Sequence, residues 1–534
     1  MRPRLLPRYA ILLALGGATA ALERARAQDI EAVAAVSGRR LPEGYYERIA
    51  AHPDFFTLER AWIGRAESAR RSGQAVSGEL PVVAVLGLFA DSPDPTIQPD
   101  ELRRVLFEGP YEHGTLAEYY SEVSGARLTI TGEVFDWVRT NVTLAQAVGT
   151  SYGLGDDAMT GQFLVEALSA ADSTTDFSLF DSDGPDGIAN SGDDDGYVDV
   201  VAFYFHEIAA SCGGPGIWPH RSRISGWQGS PYTTDDLGVS GTPIRIDGYI
   251  IQSVVDCSGT EIQTASTISH EMGHVLGLPD LYHPADGLLP EQRRWVVGCW
   301  GLMAAGAWGC QNIDRETWVR PTHMSAWAKR ELGWISQELT VESTQLTEVT
   351  LEPVITSGKI LRVPLSATEY LLVEYRKLQG FDQGLPAEGV IIYHIDPELP
   401  FRPCQSCPRL YRVALEEADG NDALIHTPQE GGNRGEPGDA WGAQGSVQFS
   451  NFGKPTTRLN SGQRSPVTFY SIAVEDSLAR LTLSTVALAL ERALEPFLLN
   501  GAEPLIQTEI DFLDSIGNGN GRYDVGDLRA YLGR

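Results

Sequence analysis

The spacing of apolar residues changes period several times along the chain, and each change marks an element. Residues 28–76 are polar overall, yet YYERIAAHPDFFTLERAWIGRAESARRSG (45–73) repeats its apolar positions near helical spacing, so helices are expected. At Pro81 the pattern switches to PVVAVLGLFADSP, an apolar run closed by turn residues, which reads as a buried strand. TLAEYYSEVSG (115–125) returns to helical spacing, ARLTITGEVFDWV (126–138) alternates, and YVDVVAFYFHEI (197–208) is a second apolar strand. This mixture predicts an α+β unit over residues 77–340. From 341 to 487, KILRVPL, EYLLVEYR and GVIIYHID are short strands separated by Gly and Pro turns, which predicts a β-rich second unit. Residues 488–534 turn helical and enclose a Gly/Asn-rich loop.

Length agrees with such a division, because 534 residues exceed what one small core organises. A composition of 42% hydrophobic and 21% charged residues argues against wholesale disorder. The formal net charge of -30 argues against nucleic acid as a partner, since phosphate binding needs a basic face. It is compatible with sites for multivalent cations.

The first 27 residues read as a secretory signal: Arg2, Arg4 and Arg8, an apolar stretch from Tyr9 to Leu22, then Ala25-Arg26-Ala27 as a small-x-small cleavage site. No later run of about 18 apolar residues occurs, so a secreted chain without a membrane span is expected. Residues 28–76 are then either a pro-segment or an N-terminal helical cap. They contain no Cys, so they cannot latch a metal with a thiolate. The six cysteines suit an oxidising compartment. Sequence proximity favours Cys299 with Cys310 and Cys404 with Cys407, which leaves Cys212 with Cys257.

The densest chemistry is HEMGHVLGLPDLYH, residues 270–283. On a helix, positions i and i+4 share a face, so His270 and His274 can point two imidazoles at one ion. Glu271 sits one residue round the helix, where a carboxylate can reach a zinc-bound water without ligating the metal. A catalytic site needs a third protein ligand and one open position. Gly277 permits the turn that folds the chain back, and Asp280 falls six residues after His274, the third-ligand position of an HExxHxxGxxH pattern. Asp280 is the expected ligand, with His283 the alternative. In GCWGLMAAGAW (298–308), Met303 resembles the Met-turn that lies beneath the zinc in metzincins.

Together these segments resemble the immune inhibitor A-type secreted bacterial metallopeptidases. LPVVAVLGLFADSP, TLAEYYSEVSGARLTITGEVFDWV, HEMGHVLGLPDLY, GLMAAGAW and PTHMSAWAKRELGWI look like the family's catalytic segments in the same order. LLVEYRKLQGFDQGLPAEGVIIYHID, LEEADGNDAL and GEPGDAW look like its downstream region, so the resemblance covers roughly residues 75–470. It implies a zincin/metzincin-like catalytic domain with His270, His274 and Asp280 as zinc ligands and Glu271 as catalyst. His283 departs from the acidic residue expected after the Tyr. Trp218 and His220 match the family's WxH element, for which a structural role is expected.

DSDGPDGIANSGDDDGYVD (181–199) concentrates carboxylates without Lys or Arg, an arrangement that repels itself unless hard cations bind. One or two calcium ions are expected on Asp181, Asp183, Asp186, Asp193, Asp195 and Asp199. DSIGNGNGRYDVGDLRAYL (514–532) resembles half of a dockerin or EF-hand loop, with Asn518, Asn520, Asp524 and Asp527 at positions 3, 5, 9 and 12. Position 1 would be Ile516, so Asp514 is the substitute, and a cohesin-like protein is the candidate partner for this segment. Three functions compete: a secreted zinc endopeptidase acting on proteins or peptides, a catalytically silent calcium-stabilised binding or adhesion protein on the same fold, and a zinc hydrolase of non-peptide esters or amides. The intact Glu271 beside two histidines favours an enzyme.

Overall fold

The computed structural model describes residues 30, 34, 39–58, 62–283, 293–309, 320–341, 346–404, 407–442, 447–475 and 477–532. The proposed signal lies outside these residues, as does Cys310. Helices α1 (Glu43–Ala51) and α2 (Ile63–Ser72) occupy the N-terminal segment, as its periodicity predicts. They are not a loose appendage. Tyr45, Phe55 and Phe56 pack with Trp218 and Leu154, while Trp62 and Ala66 enter the main core.

The first sheet comprises β1 (Gly78–Leu88), β2 (Leu128–Val134), β3 (Val138–Arg139), β4 (Val201–Phe205), β5 (His220–Arg223) and β8 (Gly248–Ser253). Its order is β2-β1-β4-β8-β5, with β3 also on β1; a separate hairpin joins β6 (Tyr232–Leu237) and β7 (Pro243–Ile246). Pairing is parallel except for β5, which runs against β8. The apolar run at Pro81 has no polar face because both faces of β1 are covered. Val82, Ala84 and Leu86 point into one core, and Val83 and Val85 into another. Helix α3 (Leu116–Ser124), closed by a Thr115/Glu118 capping box, lies on the first side, and α4 (Thr160–Asp172) lies on the second. Helix α5 (Ser266–Val275) shares the first core through Ile268, Met272 and Val275.

The β-rich region builds two sheets after α6 (Ala326–Glu331). One contains β9 (Gln337–Thr340), β11 (Lys359–Pro364), β12 (Tyr370–Arg376), β13 (Gly389–Ile395) and β14 (Val413–Leu415); the other contains β10 (Thr347–Leu351), β15 (Val447–Phe449), β16 (Thr468–Glu475) and β17 (Leu478–Ser484). Leu361, Val373 and Ile392 face Phe469, Leu481 and Leu483 across a sandwich core. The opposite face of the same strands, through Leu372, Ile391 and Tyr393, joins the core that carries α5. Two regions that the sequence separates therefore share one hydrophobic interior. Helices α7 (Leu490–Leu498), α8 (Gln507–Ile516) and α9 (Val525–Leu532) close the chain, with α8 packed on Tyr470 of β16.

Among the described residues, no helix is long and apolar enough to cross a membrane. Disulfides join Cys212 to Cys257 and Cys404 to Cys407, the expected pairings. The expected Cys299–Cys310 pair falls partly outside the described residues.

Candidate metal centre

Every residue of α5 is buried, so its histidines work in a dry environment. The helix stops where the sequence says it should. Gly277 adopts a left-handed φ of 79°, and the Gly277 and Leu278 amides donate to the carbonyls of His274 and Gly273. That turn brings Asp280 back over the helix. Asp280 Oδ1 lies 3.0 Å from His270 Nε2 and 3.3 Å from His274 Nε2, and the two nitrogens are 3.2 Å apart.

The protons can be assigned from the other ring nitrogens. His270 Nδ1 donates to the Leu302 carbonyl at 3.0 Å, and His274 Nδ1 to the Leu278 carbonyl at 2.8 Å. Carbonyls only accept, so each Nδ1 carries a proton, and a neutral ring held this way presents its Nε2 lone pair. Burial, with Arg221 nearby, pushes His274 down to about 4, in keeping with a neutral imidazole. Three potential metal ligands thus meet within 3.3 Å of one another, and Asp280 Oδ1 is buried without a hydrogen-bond donor. Such a group is costly unless a cation completes it. Donors on a tetrahedral ion with bonds of about 2.0 Å stand about 3.3 Å apart, so the observed spacing fits a single metal.

Glu271 is 3% exposed, and its Oε2 lies 3.4 Å from Nη1 of the buried Arg221 on β5. Trp308 lies against the His270 ring, with centroids 5.3 Å apart, and also lines a small cavity with Cys212, Gln252, Gln263 and Thr267. Met303 sits directly under α5: a Cβ on Gly273 would come within 2.4 Å of its Sδ. Its carbonyl accepts from the Leu281 amide, next to Asp280. Asp280 Oδ2 faces Arg402 at 3.5 Å.

The other sequence candidates divide. His283 is turned to Arg294, whose Nη1 lies 3.1 Å from His283 Nδ1, and stands outside the triad. His220 donates from Nδ1 to the Trp218 carbonyl, and its Nε2 accepts from Tyr249, which in turn accepts from Trp227. These bonds hold the buried His220 ring, and the Trp218 side chain packs in the N-terminal core. In the acidic loop, ligand atoms of Asp181, Asp183 and Asp199 converge, and burial with mutual repulsion pushes Asp181 up to about 7 and Asp183 to about 6. Asp186, Asp193 and Asp195 stand outside that group. Asp186 and Asp193 close turns around Ser191, and Asp195 accepts from the Tyr197 amide. At the C-terminus, Asp514 accepts from the Asn520 and Gly521 amides, so it does enter the loop in place of Ile516. Asn518 and Asn520 contact Asp524, and Asp527 accepts from the Asn518 and Asp524 amides.

Sequence reading passed over Arg221, Trp308 and Arg402. Arg221 lies one residue after the WxH element, and that proximity was the available signal. Arg402 lies 122 residues from Asp280 and gives none.

Fold and site together place three potential metal ligands beside a carboxylate, on a helix that packs against a mostly parallel sheet. Residues 106–335 match the family model for the immune inhibitor A peptidase M6 catalytic domain. Over 241 residues the chain is 27% identical to the pre-pro-metalloprotease PrtV of Vibrio cholerae serotype O1, covering 42% of this chain and 25% of that protein. Over 215 residues it is 27% identical to immune inhibitor A of Bacillus thuringiensis subsp. alesti, covering 36% of this chain and 28% of that protein. The chain thus aligns with only about a quarter of each relative's length.

Proposed function

We propose that the chain is a secreted zinc endopeptidase, with His270, His274 and Asp280 as ligands and Glu271 as the general base. The observation that carries this reading is the convergence of two imidazole nitrogens and a carboxylate oxygen, 3.0–3.3 Å apart, beside a buried carboxylate. Two imidazoles and one carboxylate suit zinc among the common metals. When bound, the ion supplies Lewis acidity toward a water and a scissile carbonyl. Glu271 takes the proton of the attacking water and delivers it to the leaving amine. Arg221, 3.4 Å from the Glu271 carboxylate, orients it. The Leu302 and Leu278 carbonyls hold the ligand rings in the required tautomer. Met303 supports the helix as a Met-turn.

Asp181, Asp183 and Asp199 are proposed to bind structural calcium, supported by the Asp181 and Asp199 Oδ1 atoms, which are buried without donors. The loop of Asp514, Asn518, Asn520, Asp524 and Asp527 is a second calcium candidate, and any cohesin-like partner would act through it.

Casein cleavage by wild type and Glu271→Gln, with zinc measured on both, tests the enzyme reading. Loss of at least about a thousandfold in rate with zinc retained is expected. Zinc held by both proteins with no cleavage by either would favour the binding-protein alternative.

A further inference from the structure

A further group of carboxylates, two of them buried, lies outside every site described so far. Ligand atoms of Glu417, Asp419 and Asp439 fall within 4.8 Å of one another. Asp439 is fully buried. Its Oδ2 accepts from Trp300 Nε1 at 2.8 Å and from the Glu436 amide at 2.9 Å, whereas its Oδ1 has no donor. Glu417 is 4% exposed and accepts from the Leu424 amide at 3.2–3.3 Å.

Elsewhere this fold supplies its own cation to buried acids. Glu374 and Asp382 share Arg376, and Glu369 and Glu416 share His394. Among the described residues, Glu417, Asp419 and Asp439 have no Lys, Arg or His partner. Burial and mutual repulsion push Glu417 up to about 8 and Asp439 to about 6. All donors are oxygens on a Gly-containing loop, a set that suits calcium better than a soft metal.

The surroundings connect this group to the metal centre. Arg434, in the same loop, donates to the carbonyls of Ala305, Trp308 and Gly309. The amides of Val296 and Cys299 donate to the carbonyls of Leu424 and Arg434. Between those points runs Leu302, whose carbonyl fixes His270.

We propose that Glu417, Asp419 and Asp439 bind a calcium ion that fastens the 417–439 loop against the 296–309 segment beneath the metal triad. The site does not depend on the peptidase reading, because its readout is bound calcium.

The test uses the full chain, stripped with chelator and dialysed against calcium, with elemental analysis of wild type, Glu417→Gln and Asp439→Asn. Each variant is expected to hold one calcium fewer per chain than wild type. Removing calcium from wild type is expected to speed hydrogen exchange at the Val296 and Cys299 amides about tenfold or more, with no such response in Asp439→Asn. If Asp439→Asn does not fold, the exposed Asp419→Asn gives the same comparison. Equal calcium content in wild type and variants overturns the site and leaves a shared proton as the explanation of the cluster. Normal calcium loss without faster exchange at Val296 and Cys299 overturns the fastening role.

Discussion

The triad and the acidic loop both bring potential metal ligands together, but their sequences constrain them very differently. In the triad, two ligands ride on one helix and the third follows a single glycine turn, so spacing in sequence becomes spacing in space. His270, His274 and Asp280 come together as expected. In the loop, six aspartates are expected to share one or two calcium ions, and of these Asp181, Asp183 and Asp199 converge. Asp181 and Asp199 are set by the buried ends of the loop, where Asn190 and Asp199 amides pair with the carbonyls of Asp181 and Phe180. The intervening residues follow turn geometry that no periodicity encodes. A helix transmits ligand spacing from sequence, and a loop transmits only composition.

The largest effect that can break this comparison lies in the triad. Asp280→Asn keeps the shape of the third ligand and removes its charge, so zinc affinity should fall by more than about a hundredfold and casein cleavage with it. Dialysis against a zinc buffer followed by elemental analysis measures this. Retained zinc at wild-type affinity would mean that Asp280 is not a ligand and that the helix rule misled.

Asp199→Asn probes the loop at one of its two buried acids. In saturating calcium the variant should melt lower than wild type, by a deficit on the order of 2–3 kcal/mol if calcium stands near a hundred times its dissociation constant. In chelator the order should level or invert, because a neutral amide no longer repels Asp183. A calcium-independent difference in melting would sink the calcium reading of the loop.

His394 offers a calibrating case, a buried acid pair whose cation the fold provides. Burial lowers its pKa, but hydrogen bonds to Glu369 and Glu416 outweigh that and raise it to about 9. Its unfolded value is about 6.5, so the stabilisation is complete below about pH 6.5 and fades as pH rises through about 9. A loss on the order of 2 kcal/mol in wild type between pH 6.5 and 9.5, absent in His394→Gln, is expected from denaturant melts. Asn460, whose amide bonds Glu369, and Asp396 complete the polar surroundings.

Much of the architecture was legible because burial leaves a periodic mark. The β1 run, the α3 helix and the strands after residue 341 sit where their patterns put them. What could not be read is how far the two regions merge. Leu372, Ile391 and Tyr393 face the metal-bearing core, and Arg376 and Tyr393 both grip the Trp300 carbonyl. Strands buried on both faces show no alternation, so the sequence pattern cannot say which neighbour each face meets. Arg402 beside Asp280 is hidden for the same reason, since contact across 122 residues has no local signature.

The smallest predicted effect sharpens the comparison most, because it asks whether composition alone makes a site. Asp186, Asp193 and Asp195 add three charges to the loop yet are spent on its turns: Asp186 accepts from the Ile188 amide, Asp193 from Ser191, and Asp195 from the Tyr197 amide. If calcium binds only where carboxylates converge, Asp186→Asn should change calcium affinity by less than about threefold, the weak, salt-screened influence of a distant charge. Asp199→Asn should change it by more than about thirtyfold, as expected for loss of a direct charged ligand. Calcium titrations of the two variants at low and physiological salt separate these outcomes. Equal losses would mean that Asp186 also binds calcium, as the density of aspartates suggests. A large gap between them would show that turns, not the density of aspartates, decide which carboxylates can serve as ligands.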